Sequence, residues 1–283
     1  VQIRHALQQA QTRLTQSDSA RLDAEILLMQ VLNKPRSYLF TWPEVSLNQE
    51  QYTAFERLIE QRAKGMPVAY LIGYREFWGM ALKVTADTLI PRPETELLVE
   101  LALALLAPHQ AFKVLDLGTG TGAIALAIAK ERPQAQVLAV DSSPAALAVA
   151  QDNANQLGLT TIQFLQSDWF SAIPKQAFDL IMSNPPYIPD QDPHLQQGDV
   201  RFEPRSALSS GHDGLNALRT ICRNAPQFLA PHAWLLLEHG YDQGRAVTDL
   251  LRHTGFQKVT CHKDLAGQDR VSSGQFIPSP VEA

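Results

Sequence analysis

Apolar positions follow two different periods along this chain. From about residue 2 to residue 72 they recur at helical spacing: Ile3, Ala6, Leu7 and Ala10 share one face, as do Ala24, Leu27, Leu28, Val31 and Leu32, and a later run carries Tyr52, Phe55, Leu58 and Ile59. Lys34-Pro35 and Trp42-Pro43 interrupt the pattern, and Asp18 or Ser19 is expected to cap the second helix. These signals predict a small all-α domain over residues 1–72, with no catalytic constellation of its own. Residues 73–93 change character. Gly73 to Gly79 is aromatic and bounded by glycine, Leu82 to Val84 alternates as a strand does, and a β-hairpin joining two domains is the expectation. Ile90-Pro91-Arg92-Pro93 is stiff, and Glu94 or Thr95 should open a helix carrying Leu97, Leu98, Leu101 and Leu105. Arg92 reads either as solvated linker or as a side chain leaning over a pocket.

Beyond residue 113 short apolar runs alternate with helical ones, the signature of a mostly parallel sheet with helices on both faces, and a domain over 94–283 follows. Strands are predicted near 113–117, 136–141, 161–165, 178–183, 233–238, 256–261 and 270–277. Helices are predicted near 122–131, 144–157, 214–229 and 242–253. The connection from 185 to 213, rich in Pro, Asp and Gly, is longer than a compact domain usually leaves without a task, so it reads as a lid or binding loop.

Composition narrows the function classes. Apolar residues make up 45% and charged residues 19% of 283, as in an ordinary globular protein. A net charge of -5 argues against a surface that holds nucleic acid by neutralising many phosphates. Cys222 and Cys261 stand far apart with no ligand-like Cys/His spacing, so neither a disulfide framework nor a metal site is expected. Val1 to His5 is mixed amphipathic rather than the apolar core of a signal, and no run reaches the length of a membrane span. A cytoplasmic monomer without membrane or nucleic-acid partners is the expectation.

The chemistry concentrates at strand ends. Val114 to Leu117 runs into Gly118-Thr119-Gly120-Thr121-Gly122 and then into a helix of small residues, so backbone can approach a ligand closely at a helix N-terminus. Gly118, Gly120 and Ala123 also satisfy a dinucleotide fingerprint, and Asp141, about twenty residues on, stands where an acid takes ribose hydroxyls. Both features suit a nicotinamide enzyme as well as other nucleoside-binding proteins. Asp168 and Trp169, after the third strand, offer an acid and an indole for an adenine, although a tryptophan alone is more often core.

The fourth strand ends in Asn184-Pro185-Pro186-Tyr187. Two prolines remove backbone donors and stiffen the loop, leaving the Asn184 side-chain oxygen and the proline carbonyls as acceptors, with Tyr187 as a flat wall. Asn-Pro is also a common turn dipeptide, so the tetrad gains meaning only from the strand ends upstream. An acceptor-only tetrad has no evident use in hydride transfer. It suits methyl transfer to an amino or amide nitrogen, whose hydrogens it can grip. Glu238, closing the Leu235-Leu236-Leu237 strand, is an acid near the same edge, with a helix-cap or loop role at least as apt.

These motifs, DLGTGTG, a strand-final Asp, SDWF and NPPY in that order, resemble those of class I S-adenosylmethionine methyltransferases. Together with GYREFWG, IPRPETE, the loop QDPHLQQGDVRFEP (191–204) and the helical N-terminal domain, the whole chain resembles the HemK/PrmC family of protein-(glutamine-N5) methyltransferases. NPPY alone is shared with DNA adenine-N6 methyltransferases, which makes those the second reading. The tail past Gln275 carries no signal of the family. The resemblance implies a Rossmann-like, mostly parallel seven-stranded sheet. It also implies methylation of the glutamine in the Gly-Gly-Gln motif of peptide chain release factors, with S-adenosyl-L-methionine as cofactor, S-adenosyl-L-homocysteine as product and no metal. On this reading Gly118 to Gly122 approach the methionine moiety, Asp141 the ribose, and Asp168 and Trp169 the adenine. Asn184 is shared between cofactor and substrate.

Overall fold

A computed structural model of the chain describes residues 1–278, so the last part of the tail noted above lies outside the described residues. Two compact units are present. The first comprises Val1–Tyr74 together with Gln196–Phe202; the second comprises Arg75–Leu195 and the chain from Glu203 onward.

The first unit is helical: α1 (Ile3–Arg13), α2 (Ala20–Leu32), α3 (Arg36–Thr41), α4 (Gln49–Ala63) and α5 (Val68–Ile72). Its core is the set of positions with helical spacing, with Ile3, Ala6, Leu27, Leu28, Phe55 and Ile59 almost fully buried. Ser19 occupies the N-cap of α2 but caps nothing with its side chain. Its hydroxyl donates instead to Asp23 at 2.8 Å, and the buried Asp23 also accepts from Arg62 Nε at 2.7 Å. Arg62 Nη1 donates to Asp199 at 2.8 Å, and Arg201 donates to the Lys64 carbonyl at 3.0 Å. Gln196–Phe202, from the middle of the long connection, thereby folds with the helices, an arrangement that the sequence did not suggest.

A hairpin of β1 (Tyr74–Phe77) and β2 (Met80–Lys83) follows, in the second unit from Arg75 on, with Phe77, Met80 and Leu82 buried in this unit's core. There follow α6 (Glu96–Leu105), β3 (Lys113–Leu117), α7 (Ala123–Glu131), β4 (Gln136–Asp141), α8 (Pro144–Leu157), β5 (Gln163–Gln166), β6 (Phe178–Ser183), α9 (Asn216–Asn224), β7 (Leu229–Glu238), α10 (Gly244–His253), β8 (Phe256–Lys263) and β9 (Asp269–Phe276). The seven strands of the large sheet run in the order β5-β4-β3-β6-β7-β9-β8, parallel from β5 to β7, with β9 antiparallel to both neighbours. Alternate residues of each strand feed opposite layers. Val114 packs with α6, α7 and α8, whereas Leu115 and Leu117 pack with α9 and α10. Both faces are covered, which is why the strands read as unbroken apolar runs. Successive crossovers leave β3 in opposite directions, toward β4 on one side and β6 on the other, so a crevice opens at their carboxyl ends.

Among the described residues no helix is long and apolar enough to cross a membrane. The connection 185–213 is not bare loop. It contains 3-10 turns at Pro193–Gln196, Val200–Phe202 and Arg205–Ala207, and a parallel bridge joins Ile188 to Ser209.

Candidate active site

The glycine turn closes on itself through main-chain bonds. Gly118 N and Thr119 N both donate to the Val140 carbonyl at 2.9 Å, and Gly122 N donates to the Thr119 carbonyl at 2.8 Å. Gly118, Gly120 and Gly122 have φ of 73°, 55° and 83°, in the left-handed region that costs a side chain energy. Gly122 has no room for a methyl either, since a Cβ there would stand 3.0 Å from Leu126 and 3.2 Å from Ala150. Beneath the turn Asp116 is fully buried; Thr119 Oγ1 donates to its Oδ2 at 2.6 Å, while Oδ1 has no hydrogen-bond partner among the described residues. Burial pushes the Asp116 carboxyl up to about 7, against the pull of the Thr119 hydroxyl.

Asp141 closes β4 and faces the turn. Its Oδ2 accepts from Gly120 N and its Oδ1 from Ser143 N, each at 2.9 Å. Both oxygens thus serve the backbone first and retain lone pairs for a ligand. Trp169 adopts φ 48°, held by Ser167, whose hydroxyl donates to the Trp169 carbonyl at 2.7 Å and accepts from Ala172 N at 3.0 Å. The indole lies over Gly118, 3.8 Å from where a Cβ would be. Gly118, Gly120, Asp141, Asp168, Trp169 and Asn184 line one cleft of about 270 Å³.

The cleft is also lined by Asp87 and Leu89, which the sequence reading missed, and by Pro204, Ser206 and Ala207 of the 185–213 connection expected to be a lid or binding loop. Pro204 falls in the family-like loop quoted above, whereas Asp87 and Leu89 had no signal. Arg92 is neither solvated linker nor a group leaning over a pocket. It pairs with the buried Glu203, whose Oε2 accepts from Ile90 N at 3.0 Å, so the linker strand and the returning loop are tied together.

At the tetrad Pro185 is buried and Asn184 half-buried. Asn184 Nδ2 donates to Thr95 Oγ1 at 3.1 Å, and Thr95 therefore does not cap α6 with its side chain. No protein donor among the described residues reaches Asn184 Oδ1 or the Pro185 and Pro186 carbonyls, whereas the Tyr187 carbonyl accepts from Gln243 Nε2 at 2.9 Å. Gly214 has no space for a side chain, because a Cβ would stand 2.2 Å from that same carbonyl. Glu238 is no helix cap. It is 1% exposed, accepts from the Tyr187 hydroxyl at 3.4 Å on Oε1, and leaves Oε2 without an aligned partner. Burial raises its carboxyl to about 7 and raises the Tyr187 phenol as well, so the phenol stays protonated. No three His, Cys, Asp or Glu side chains cluster as metal ligands among the described residues.

The cleft suits a nucleoside ligand with a cationic tail: acids at Asp141 and Asp168, an indole wall, and bare main chain at Gly120, where a Cβ would meet nothing within 4 Å. The fold is shared with solved methyltransferase structures. A methyltransferase from Pyrococcus furiosus matches it with a TM-score of 0.53, over 70% of this chain and 89% of that one, at 17% identity.

Sequence comparison narrows the class. Residues 94–200 match the methyltransferase small domain and residues 5–73 the PrmC N-terminal domain. A release factor glutamine methyltransferase from Vibrio cholerae is 51% identical over 98% of this chain and 97% of its own length. One from Pseudomonas aeruginosa is 52% identical over 94% and 96%. The chain belongs to the release factor glutamine methyltransferase family.

Proposed function

We propose that this chain transfers a methyl group from S-adenosylmethionine to the side-chain amide nitrogen of the glutamine in the Gly-Gly-Gln motif of class-1 peptide chain release factors. The observation that carries the reading is the tetrad: with Asn184 Nδ2 engaged by Thr95, Asn184 Oδ1 and the neighbouring Pro185 carbonyl are acceptors without protein donors among the described residues, and Asn184 lines the cleft. Family membership supports the same substrate.

A bound S-adenosylmethionine supplies an electrophilic methyl on a sulfonium. Gly118 to Gly122 would hold its methionine part, Asp141 its ribose, and Asp168 with Trp169 its adenine. An amide nitrogen is a weak nucleophile because its lone pair is shared with the carbonyl. Asn184 Oδ1 and the Pro185 carbonyl, accepting its two hydrogens, would fix the amide plane with one face toward the methyl and meet the positive charge that grows on nitrogen with aligned dipoles. The alkylated nitrogen is acidic and sheds its proton without a strong base, so no general base, covalent nucleophile or metal enters this account.

The helical unit would dock the protein substrate. Its surface exposes Phe40 and Trp42 at 50% and 55%, and the guanidinium groups of Arg21 and Arg36 lie 5.8 and 5.5 Å from the Phe40 ring centre. Exposed aromatic and arginine groups of this kind anchor protein interfaces. A paired assay tests the function: labelled S-adenosylmethionine with purified release factor, and separately with DNA. Label on the release-factor glutamine is expected; label on adenine in DNA instead would overturn the assignment.

A further inference from the structure

We propose that Asn153 is a positioning residue for the cofactor. From the buried face of α8, the helix that follows β4, its side-chain amide sets the glycine turn and the segment leading to Asp87 and Leu89 in register with that helix. It thereby shapes the end of the cleft that takes the methionine part of S-adenosylmethionine. The role rests on the cleft being the S-adenosylmethionine site, and it falls to a residue outside the cleft lining.

Asn153 is 1% exposed, and each hydrogen bond of its amide goes to main chain. Oδ1 accepts from Lys83 N at 2.7 Å, while Nδ2 donates to the Lys83 carbonyl at 3.1 Å and to the Thr121 carbonyl at 2.9 Å. The two bonds with Lys83 copy, at the end of β2, the exchange that a neighbouring strand would make. The third reaches the second half of the glycine turn. The first half is bonded to β4 through Val140 and Asp141. Thr121 and Gly122 have no other hydrogen bond from outside the turn and α7 among the described residues. Contact reinforces the bond: Ala150, three residues earlier on the same face of α8, would stand 3.2 Å from a Cβ on Gly122.

One amide therefore registers three segments that line the cleft. Lys83 begins the run to Asp87 and Leu89, Thr121 follows Gly120, and α8 starts beside Ser143 and carries Ala146. With the oxygen facing one N–H and the nitrogen facing two carbonyls, the amide has a single satisfied orientation. Aspartate has the shape without the donors, and its carboxylate would face two carbonyl oxygens. The Lys83 side chain is no substitute, since its 2.7 Å pair with Asp152 is half-exposed at both ends and holds little.

The test uses the full-length protein, calorimetric titration and two ligands. S-adenosylmethionine carries the methionine part; 5′-methylthioadenosine has the same nucleoside and sulfur without it. Asn153→Ala should raise the Kd for S-adenosylmethionine on the order of tenfold and that for 5′-methylthioadenosine by less than about threefold. The kcat with release factor at saturating cofactor should fall far less than the affinity. Asn153→Asp should bind S-adenosylmethionine no better than Asn153→Ala, although it keeps the acceptor for Lys83 N. A second readout needs no variant: in wild type, hydrogen exchange at Lys83 N should slow when S-adenosylmethionine binds and change little with 5′-methylthioadenosine. Equal losses for both ligands are what a role confined to holding the fold predicts. That result, an unchanged Kd in Asn153→Ala, or Lys83 exchange indifferent to S-adenosylmethionine would overturn the proposal. A wild type that binds neither ligand would overturn the cofactor assignment, and the proposal with it.

Discussion

The two walls of the cleft are built by different means. The proposed cofactor wall is local: the glycine turn bonds to the ends of adjacent strands and to the acid of the next strand, through Val140, Thr119 and Asp141. The proposed acceptor wall is assembled at long range. Asn184 is oriented by Thr95, 89 residues away, and Tyr187 is held by Glu238 and Gln243, 51 and 56 residues away. A local wall survives change elsewhere in the chain. A wall whose hydrogen-bond polarity is set by distant side chains can lose function with the fold intact, and the predictions below separate the two cases.

The largest effect should come from Asn184. Asn184→Ala removes an aligned acceptor, and comparable losses cost about 3–4 kcal/mol in the transition state, a factor on the order of a hundred to a thousand in kcat. Asn184→Asp should be no better, because the donor that meets Thr95 Oγ1 is gone. Single-turnover kinetics with release factor would check both; an Asp variant much faster than Ala would mean that the contact with Thr95 is dispensable.

On the local wall, Asp141→Ala should weaken S-adenosylmethionine binding by roughly ten- to a hundredfold, since a ribose acceptor and the anchor of Gly120 N are lost together. The glycines divide by where a methyl would go. Gly122→Ala should lower thermal stability by about 1–3 kcal/mol through positive φ and the collision with Leu126 and Ala150. Gly120→Ala, strained by its positive φ but with open space at its Cβ, should cost less stability than Gly122→Ala and more cofactor affinity. Calorimetric titration beside thermal melts distinguishes the two, and equal effects in both experiments would contradict the division.

A smaller signature is pH dependence of stability. Glu238 and Asp116 are raised by burial from ordinary values of 4.5 and 3.8 to about 7. Between those limits the folded chain keeps protons that the unfolded chain has shed, so the contribution of these groups to stability falls as pH rises to about 7 and is level above. Asp213, held at about 2 by Arg219, acts in the opposite sense, its stabilisation being lost as pH falls below the ordinary carboxylate range. Glu238→Gln cannot ionise, so its Tm should rise relative to wild type between about pH 4.5 and 7 and stay level above. A constant difference would contradict the raised carboxyl. The smallest effect belongs to Tyr187→Phe, which loses only a 3.4 Å bond to Glu238 and keeps the ring, so kcat should fall by a few-fold at most.

Legibility in the sequence followed the same division. Strands at 113–117, 136–141 and 178–183 and the helix at 144–157 agree with the structure because their signals are local: apolar runs, a proline at N1, a glycine after the last turn. The reading erred where proline intervened. The helix predicted over 214–229 spans Asn216–Asn224 and passes into a 3-10 turn containing Pro226. β7 begins at Leu229 rather than 233, its start concealed by Pro231 and the left-handed His232 at a register shift opposite β6. The candidate site residues on strand ends were visible as motifs, and Gly118, Gly120, Asp141, Asp168, Trp169, Asn184 and Pro186 line one cleft, whereas Thr119, Thr121, Gly122, Pro185 and Tyr187 are not among its lining residues. Thr95 was visible only as a helix start and Glu238 only as an acid at the sheet edge. Their partnership with the tetrad exists only once α6 and β7 pack beside β6, and no spacing rule encodes it.

Substrate docking sharpens the contrast from outside the cleft. Phe40→Ala with Trp42→Ala should raise KM for intact release factor several-fold and leave the rate on a short Gly-Gly-Gln peptide unchanged. Equal losses on both substrates would mean that these side chains only stabilise the helical unit.

The central claim is tested most directly by mass spectrometry of a release factor incubated with this enzyme and S-adenosylmethionine. The account predicts one methyl group on the side-chain nitrogen of the Gly-Gly-Gln glutamine with wild type, and none on the same timescale with Asn184→Ala. Methylation at any other residue, or an Asn184→Ala enzyme that modifies the glutamine at the wild-type rate, would contradict it.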